Sequence, residues 1–97
     1  MMPKICVIGA GYWGKNHIKT LYKLGALNGI VDSNNKIINN LNIEYPSVKK
    51  HLTVEEALSV GYDGFTIATP AETHFGIAKK ILNSRSNVLI EKPMTLS

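Results

Sequence analysis

Short apolar segments alternate with helical segments along the whole sequence, and this alternation limits the fold more than any other feature. Strands are predicted near residues 4–8, 27–31, 48–52, 65–68 and 87–90, and a helical pattern follows each of the first four. The first of these runs is almost continuously apolar, as expected of a strand buried on both faces. Strands that alternate with helices pair in parallel, because parallel strands need crossover connections. The sequence therefore predicts an α/β fold with a doubly wound parallel sheet of about five strands.

Local signals mark the ends of two of the helices. Ser33 or Asn34 can cap the second helix, and Pro46 ends it. The segment from Thr53 to Glu56 has the form of a capping box. In such a box the Thr53 hydroxyl accepts from the Glu56 amide, and the Glu56 carboxylate accepts from the Thr53 amide. A short third helix is therefore predicted from this point.

A glycine loop, residues 9–14 (GAGYWG), connects the first strand to the first helix. It has the G-x-G-x-x-G form in the strand–loop–helix context that the dinucleotide-binding fingerprint requires. Gly9 permits the tight turn, Gly11 lets the backbone approach a pyrophosphate, and Gly14 lets the helix pack closely on the strand. The helix N-terminus would direct free N–H groups and a partial positive charge at the phosphates. Two aromatic side chains of the loop are candidates for covering the pyrophosphate: Tyr12 and Trp13.

An acidic residue, Asp32, ends the second predicted strand, close to the ~20 residues past the loop where the fingerprint places its ribose-binding carboxylate. A carboxylate here favours NAD over NADP, because it would repel a 2′-phosphate. The residues after it, 33–35, include no arginine that would hold such a phosphate. The alternative is that the glycine loop is only a structural turn and Asp32 only a helix cap.

Two further motifs follow the fourth and fifth predicted strands. Thr69-Pro70, with His74 four residues later, follows the fourth strand, and Glu91-Lys92-Pro93 follows the fifth. In doubly wound sheets, ligands bind beyond the carboxyl ends of the strands. Both motifs are therefore expected to line the same crevice as the glycine loop.

With these motifs the sequence resembles, over essentially its whole length, the N-terminal NAD(P)-binding domain of the Gfo/Idh/MocA oxidoreductase family. Glu91-Lys92-Pro93 is the most specific of the motifs that carry the resemblance. Residues 11–17 look most like enzymes that oxidise the 3-hydroxyl of UDP-N-acetylhexosamine derivatives. The resemblance implies that residues 1–97 form a dinucleotide-binding Rossmann domain, truncated before the family's second domain, which carries the substrate pocket.

The resemblance also implies roles for individual residues. Lys92 would be the catalytic lysine, close to both the nicotinamide and the substrate hydroxyl, and Glu91 would contact the nicotinamide-ribose side. A cis peptide is expected between Lys92 and Pro93. The wall around the dinucleotide would be formed by three residues near the fourth strand: Thr69, Pro70 and His74.

Composition excludes several other classes of protein. The chain carries 11 basic and 7 acidic residues, and its one arginine, Arg85, argues against nucleic-acid binding. No apolar run approaches the ~18 residues of a membrane helix, so no membrane partner and a cytoplasmic location are expected. The lone Cys6 cannot form an internal disulfide and is expected to be buried. The three histidines are scattered along the chain, so no metal site is expected. His17 is expected to pack at the helix–sheet junction and His51 to be exposed.

Two functions remain open from the sequence. In the first, the chain is the NAD(P)-binding part of an oxidoreductase that transfers a hydride between a secondary alcohol of a sugar or nucleotide-sugar and a nicotinamide. In the second, it is a stand-alone NAD-binding regulatory or sensor module without turnover. Without a substrate domain the chain alone is expected to be inactive. Self-association is also expected, through the uncovered sheet edge beyond Ile90.

Overall fold

A five-stranded parallel sheet forms the centre of the protein. The structure is a computed structural model, and it describes residues 3–69, 71–83 and 88–90. The strands lie side by side in the order β3-β2-β1-β4-β5. This arrangement confirms the predicted doubly wound α/β fold. In chain order, the elements are β1 (Ile5–Ile8), α1 (Tyr12–Lys23), β2 (Leu27–Val31), α2 (Asn35–Glu44), β3 (Lys49–His51), α3 (Val54–Leu58), β4 (Gly64–Ile67), α4 (Ala71–Asn83) and β5 (Val88–Ile90).

Helices cover both faces of the sheet, and each face has its own apolar core. On one face α1 and α2 pack through Ile18, Ile38 and Leu41 against strand residues that include Val7 and Ile30. On the other face α3 and α4 pack against the strand residues Cys6, Ile8, Phe65 and Ile67. The helix residues in this core are Val54, Ala57, Ala78 and Ile81. Alternate strand residues therefore supply both cores, as expected of a sheet buried on both sides.

The central strand β1 is buried along its whole length. It pairs with β2 on one side, with Ile8 opposite Val31, and with β4 on the other, with Ile8 opposite Ile67. Cys6 has no exposed surface, and this burial raises the pKa of its thiol to about 12. The chain moves outward from β1 to β3 and then returns to β4, so the strand order reverses beside β1. Ligands of open α/β sheets bind at such a reversal.

Asn34 provides the N-cap of α2. Its side-chain oxygen accepts from the backbone amides of Lys36, at 2.9 Å, and Ile37, at 3.3 Å. The helix ends at Glu44, two residues before Pro46, as the sequence predicts. Asn34 is thus the cap among the two candidates.

The capping box at α3 forms only in part. The Thr53 hydroxyl accepts from the Glu56 amide at 3.2 Å, as predicted. The Glu56 carboxylate instead accepts from the Leu52 amide at 2.9 Å, one residue before the expected partner. The return bond of the box is therefore shifted by one residue, from the cap residue Thr53 to Leu52 in the preceding loop.

His51 is half-buried, so the expectation that it is exposed was wrong. Its Nε2 lies 2.8 Å from the hydroxyl of Tyr62, whose ring is in edge contact with the imidazole. Tyr62 is buried against Gly29 of β2, where an added Cβ would lie 2.2 Å from the tyrosine oxygen. The glycine in β2 therefore makes room for the tyrosine that binds His51.

Two kinds of feature do not occur in the part of the chain that the structure describes. Within residues 3–69 and 71–83, no helix is long and apolar enough to cross a membrane. The same ranges contain no group of three or more His, Cys, Asp or Glu side chains placed to hold a metal ion.

Candidate dinucleotide site

A cleft of ≈ 290 Å³ opens at the carboxyl ends of β1, β2 and β4. Gly9, the first residue of the glycine loop, lines one side of it, and the segment between β3 and α3 lines another. Its walls are largely apolar, with a few polar groups, the usual character of small-molecule sites. The residues that line it include Gly9, Asp32, Leu52, Thr53 and Thr69.

Gly9 turns the chain out of β1 in a conformation that side chains disfavour. Its φ is +96°, in the range where glycine has no steric penalty. Its amide donates to the carbonyl of Val31 at 2.8 Å, which holds the start of the glycine loop against β2. A Cβ here would lie 3.0 Å from Cγ2 of Thr69. The turn is therefore restricted both by φ and by the neighbouring strand end.

The other two glycines of the loop differ in what surrounds them. A Cβ on Gly14 would lie 1.7 Å from the Gly9 carbonyl oxygen, so only glycine allows α1 to approach the loop this closely. A Cβ on Gly11 would meet no atom of the described residues within 4 Å. The space above Gly11 is thus open for a ligand to approach the backbone, as the fingerprint requires.

Among the residues that the structure describes, no side chain caps the N-terminus of α1. Gly11 is the N-cap and provides no side-chain acceptor, and the first turn contains no acidic residue. The first bond back into the helix is from the Lys15 amide to the Gly11 carbonyl, at 2.9 Å. The amides before Lys15 therefore have no acceptor within the helix, and an anion at this helix end would be stabilised.

Asp32 lies beside the loop and binds it directly. One carboxylate oxygen accepts from the Ala10 amide at 2.9 Å, and the other accepts from the Asn34 amide at 2.8 Å. The Asp32 amide itself donates to the carbonyl of His51 at 3.0 Å, which fixes the residue at the end of β2. A carboxylate has about four acceptor sites, so about two remain for hydroxyl groups of a ligand.

Thr69, at the end of β4, has a hydroxyl that is buried and has no hydrogen-bond partner among the described residues. Its methyl group lies against the Gly9 turn. Buried polar atoms without a partner are uncommon in folded proteins, and each one requires a physical explanation. The strand end that the sequence indicates as part of the wall thus contributes an unsatisfied polar group to the edge of the cleft.

These groups fit a dinucleotide. The open backbone at Gly11 and the uncapped helix suit a pyrophosphate, and the spare acceptor sites of Asp32 suit ribose hydroxyls. The structure brings Gly9, Asp32 and Thr69 together around one cleft, while Gly11 and Gly14 are not among the residues that line it. Sequence reasoning missed the lining by Leu52 and Thr53, because the pairing of β3 with β2, which sets their position, depends on contacts distant in the chain.

Several predicted site residues can be placed only in part. The backbones of Tyr12 and Trp13 form the first turn of α1, and that of His74 lies in α4; the roles of their side chains stay predictions. Four of the predicted residues lie outside the described part of the chain, together with the expected cis peptide: Pro70, Glu91, Lys92 and Pro93.

Comparison with known proteins agrees with this geometry. A family described as "Oxidoreductase family, NAD-binding Rossmann fold" (Gfo/Idh/MocA) matches residues 3–97. A UDP-N-acetylglucosamine 3-dehydrogenase of Acidithiobacillus ferrooxidans is 33% identical over 95 residues, which cover 93% of this chain and 28% of that protein. The chain therefore spans less than a third of the length of this relative.

Two solved structures are also similar. GenD2 from gentamicin A biosynthesis, in complex with NAD, superposes with a TM-score of 0.84 at 29% identity, covering 99% of this chain and 28% of GenD2. The WlbA dehydrogenase from Bordetella pertussis, in complex with NADH and UDP-GlcNAcA, superposes with a TM-score of 0.85 at 22% identity, covering 98% and 30%, and supports the fold alone. With the family match across nearly the whole sequence, the chain belongs to the Gfo/Idh/MocA oxidoreductases and forms their NAD-binding Rossmann fold.

Proposed function

We propose that this domain binds NAD in the cleft as the cofactor-binding part of a dehydrogenase that acts on a secondary alcohol of a nucleotide-sugar. The observation that carries the proposal is the position of Asp32. Its carboxylate lies within hydrogen-bond distance of the glycine loop, at the point where the loop and the end of β2 meet. An adenosine ribose whose pyrophosphate lay on Gly11 would be in reach of that carboxylate.

The preference for NAD over NADP follows from charge. A 2′-phosphate on the same ribose would come close to the Asp32 carboxylate, and two like charges in a partly enclosed cleft repel each other. Ser33 and Asn34, which follow Asp32, are uncharged. No positive group adjacent in sequence therefore compensates for the repulsion.

The substrate class is supported by the relatives and not by the cleft. The Acidithiobacillus protein, at 33% identity, is a UDP-N-acetylglucosamine 3-dehydrogenase. The chemistry that bound NAD supplies is acceptance of a hydride at the nicotinamide. Lys92, which follows β5, is the proposed catalytic residue, and its ammonium would orient the reacting hydroxyl and stabilise charge that develops on its oxygen. We also propose that the cofactor contacts Glu91, Pro70 and His74.

Calorimetric titration of the chain with NAD and NADP tests the cofactor step. We expect NAD to bind and NADP to bind at least tenfold more weakly, because the repulsion at Asp32 opposes only NADP. Absence of binding by either dinucleotide would contradict the proposal as a whole. Equal affinity for both would contradict the assignment of Asp32 to the ribose.

The hydride step is tested on the full-length gene product with UDP-N-acetylglucosamine and NAD. We expect NADH to form, and Lys92→Met to lower kcat by at least a hundredfold while NAD binding is retained. If NAD bound but the full-length product formed no NADH with any UDP-sugar, a regulatory NAD-binding module would be the better description.

A further inference from the structure

We infer that Asp32 is a positioning residue for the glycine loop in addition to its proposed contact with the ribose. Its carboxylate holds the Ala10 amide and so keeps the loop in the phosphate-binding conformation before any ligand arrives. Pyrophosphate binding then depends on Asp32 even when the ligand has no ribose hydroxyl. The inference rests on the proposed function, because it concerns the same cleft.

The burial of Ala10 makes this bond more than incidental. Ala10 has no exposed surface, so water does not readily replace the acceptor of its amide. Among the described residues, the acceptor that this amide finds is Oδ2 of Asp32, 22 positions away in the chain, at 2.9 Å. A buried amide that loses its acceptor is costly, so the loop would rearrange to find another partner.

The neighbouring contacts show why such a rearrangement would reach the phosphate site. Ala10 lies between Gly9, whose φ of +96° shapes the turn and which lines the cleft, and Gly11, where an added Cβ would meet no described atom within 4 Å. On the other side, Asp32 is fixed by its amide bond to the His51 carbonyl and by its second oxygen on the Asn34 amide. The carboxylate thus connects a fixed strand end to the middle residue of the turn.

Charge and position make opposite predictions here. A carboxylate beside a pyrophosphate site repels the phosphates, so a purely electrostatic view predicts that removing it strengthens phosphate binding. If the carboxylate positions the loop, its removal weakens phosphate binding despite the lost repulsion. The direction of the change therefore separates the two views.

The experiment compares ADP with 2′,3′-dideoxy-ADP, which lacks both ribose hydroxyls, by calorimetry on the chain and on Asp32→Ala. For dideoxy-ADP we expect Asp32→Ala to weaken binding about three- to tenfold, the effect of about one hydrogen bond. For ADP the loss should be larger, because the ribose contact is lost as well. Unchanged or tighter binding of dideoxy-ADP would overturn the inference, whereas failure of the unmodified chain to bind ADP would contradict the proposed function itself.

Two further variants make the result specific. Asp63→Ala removes the same charge and a similar bond, from the Lys4 amide to Oδ2 of Asp63 at 2.7 Å, at the opposite end of the sheet. It should leave the affinity for dideoxy-ADP unchanged, and an equal loss in this variant would overturn the inference. If Asp32→Ala does not fold, Asp32→Asn, which keeps one acceptor oxygen, should give a smaller loss in the same direction, and a gain would again overturn it.

Amide hydrogen exchange of the ligand-free chain supplies a direct measurement. In Asp32→Ala the Ala10 amide should exchange at least tenfold faster than in the unmodified chain, while the Val7 amide in β1 keeps its rate. Equal acceleration at both amides would indicate general destabilisation and would contradict a local role for Asp32.

Discussion

Gly14 and Gly76 are both helical glycines, but their surroundings differ. A Cβ on Gly14 would lie 1.7 Å from the Gly9 carbonyl oxygen, while one on Gly76 would meet no described atom within 4 Å. We expect Gly14→Ala to lower the free energy of unfolding by about 1–3 kcal/mol and to abolish NAD binding, because α1 must move away from the loop. Gly76→Ala should raise that free energy by up to about 1 kcal/mol. Urea denaturation measures both, and equal effects of the two variants would contradict the close approach at Gly14.

Asp32 also determines how the two dinucleotides respond to mutation. Asp32→Ala should weaken NAD binding more than NADP binding. Both ligands lose the support of the loop, but only NAD loses a favourable ribose contact, and NADP is relieved of repulsion. Calorimetric titration of each ligand gives the two ratios, and equal losses would remove the ribose assignment.

His51 gives the stability of the fold a dependence on pH. Its pKa lies below the usual 6.5 because burial disfavours the charged imidazole; Glu56 raises it and Lys49 lowers it. Between the lowered pKa and 6.5 the unfolded chain binds more protons than the folded chain. The contribution of neutral His51 to the stability of the fold is therefore fully present above pH 6.5, and it is lost as the pH falls through the lowered pKa of the folded state. Urea denaturation from about pH 7.5 to pH 5 should show this decline, and His51→Gln should reduce it. An unchanged decline would contradict the role of His51.

The N-cap of α2 allows the contribution of one helix end to the free energy of unfolding to be measured. Asn34→Ala removes the acceptor of the Lys36 and Ile37 amides and should cost about 1 kcal/mol of unfolding free energy. Asn39→Ala, an exposed change in the same helix, should be neutral or slightly stabilising, since alanine favours helices. Thermal and urea denaturation of both variants check the difference. Similar effects at the two positions would mean that the cap contributes little.

Sequence patterns predicted the elements well where the signal is local. The glycine loop, the end of α2 before Pro46 and the Asn34 cap depend on neighbouring residues, and the structure has them as expected. The patterns were less informative where partners are distant in the chain. The bond from the Ala10 amide to Asp32 and the contact of His51 with Tyr62 form only when the strands pair. The Glu56 carboxylate accepts from the Leu52 amide and not from that of Thr53. These contacts depend on geometry that no local pattern encodes.

For the molecule as a whole, Cys6 is a natural reporter of unfolding. Its thiol is fully buried in the central strand, and its pKa of about 12 leaves almost no thiolate near neutral pH. We expect a thiol reagent such as dithionitrobenzoate to label the folded chain very slowly and the urea-unfolded chain completely. Added NAD should slow the labelling further, because it stabilises only the folded state. Rapid labelling without urea would contradict the burial of β1.

The central position of β1 also affects how the chain folds during synthesis. β1 leaves the ribosome first, but one of its two neighbours is β4, and the bond from the Lys4 amide to Asp63 joins residues 59 positions apart. At ~5–20 residues per second, translation takes roughly 3–12 s to cover that distance. β2 can pair with β1 early, after a single helix. For the following seconds, the β4-facing edge of an apolar strand has no partner from its own chain, and this is when the protein is most open to aggregation or chaperone binding.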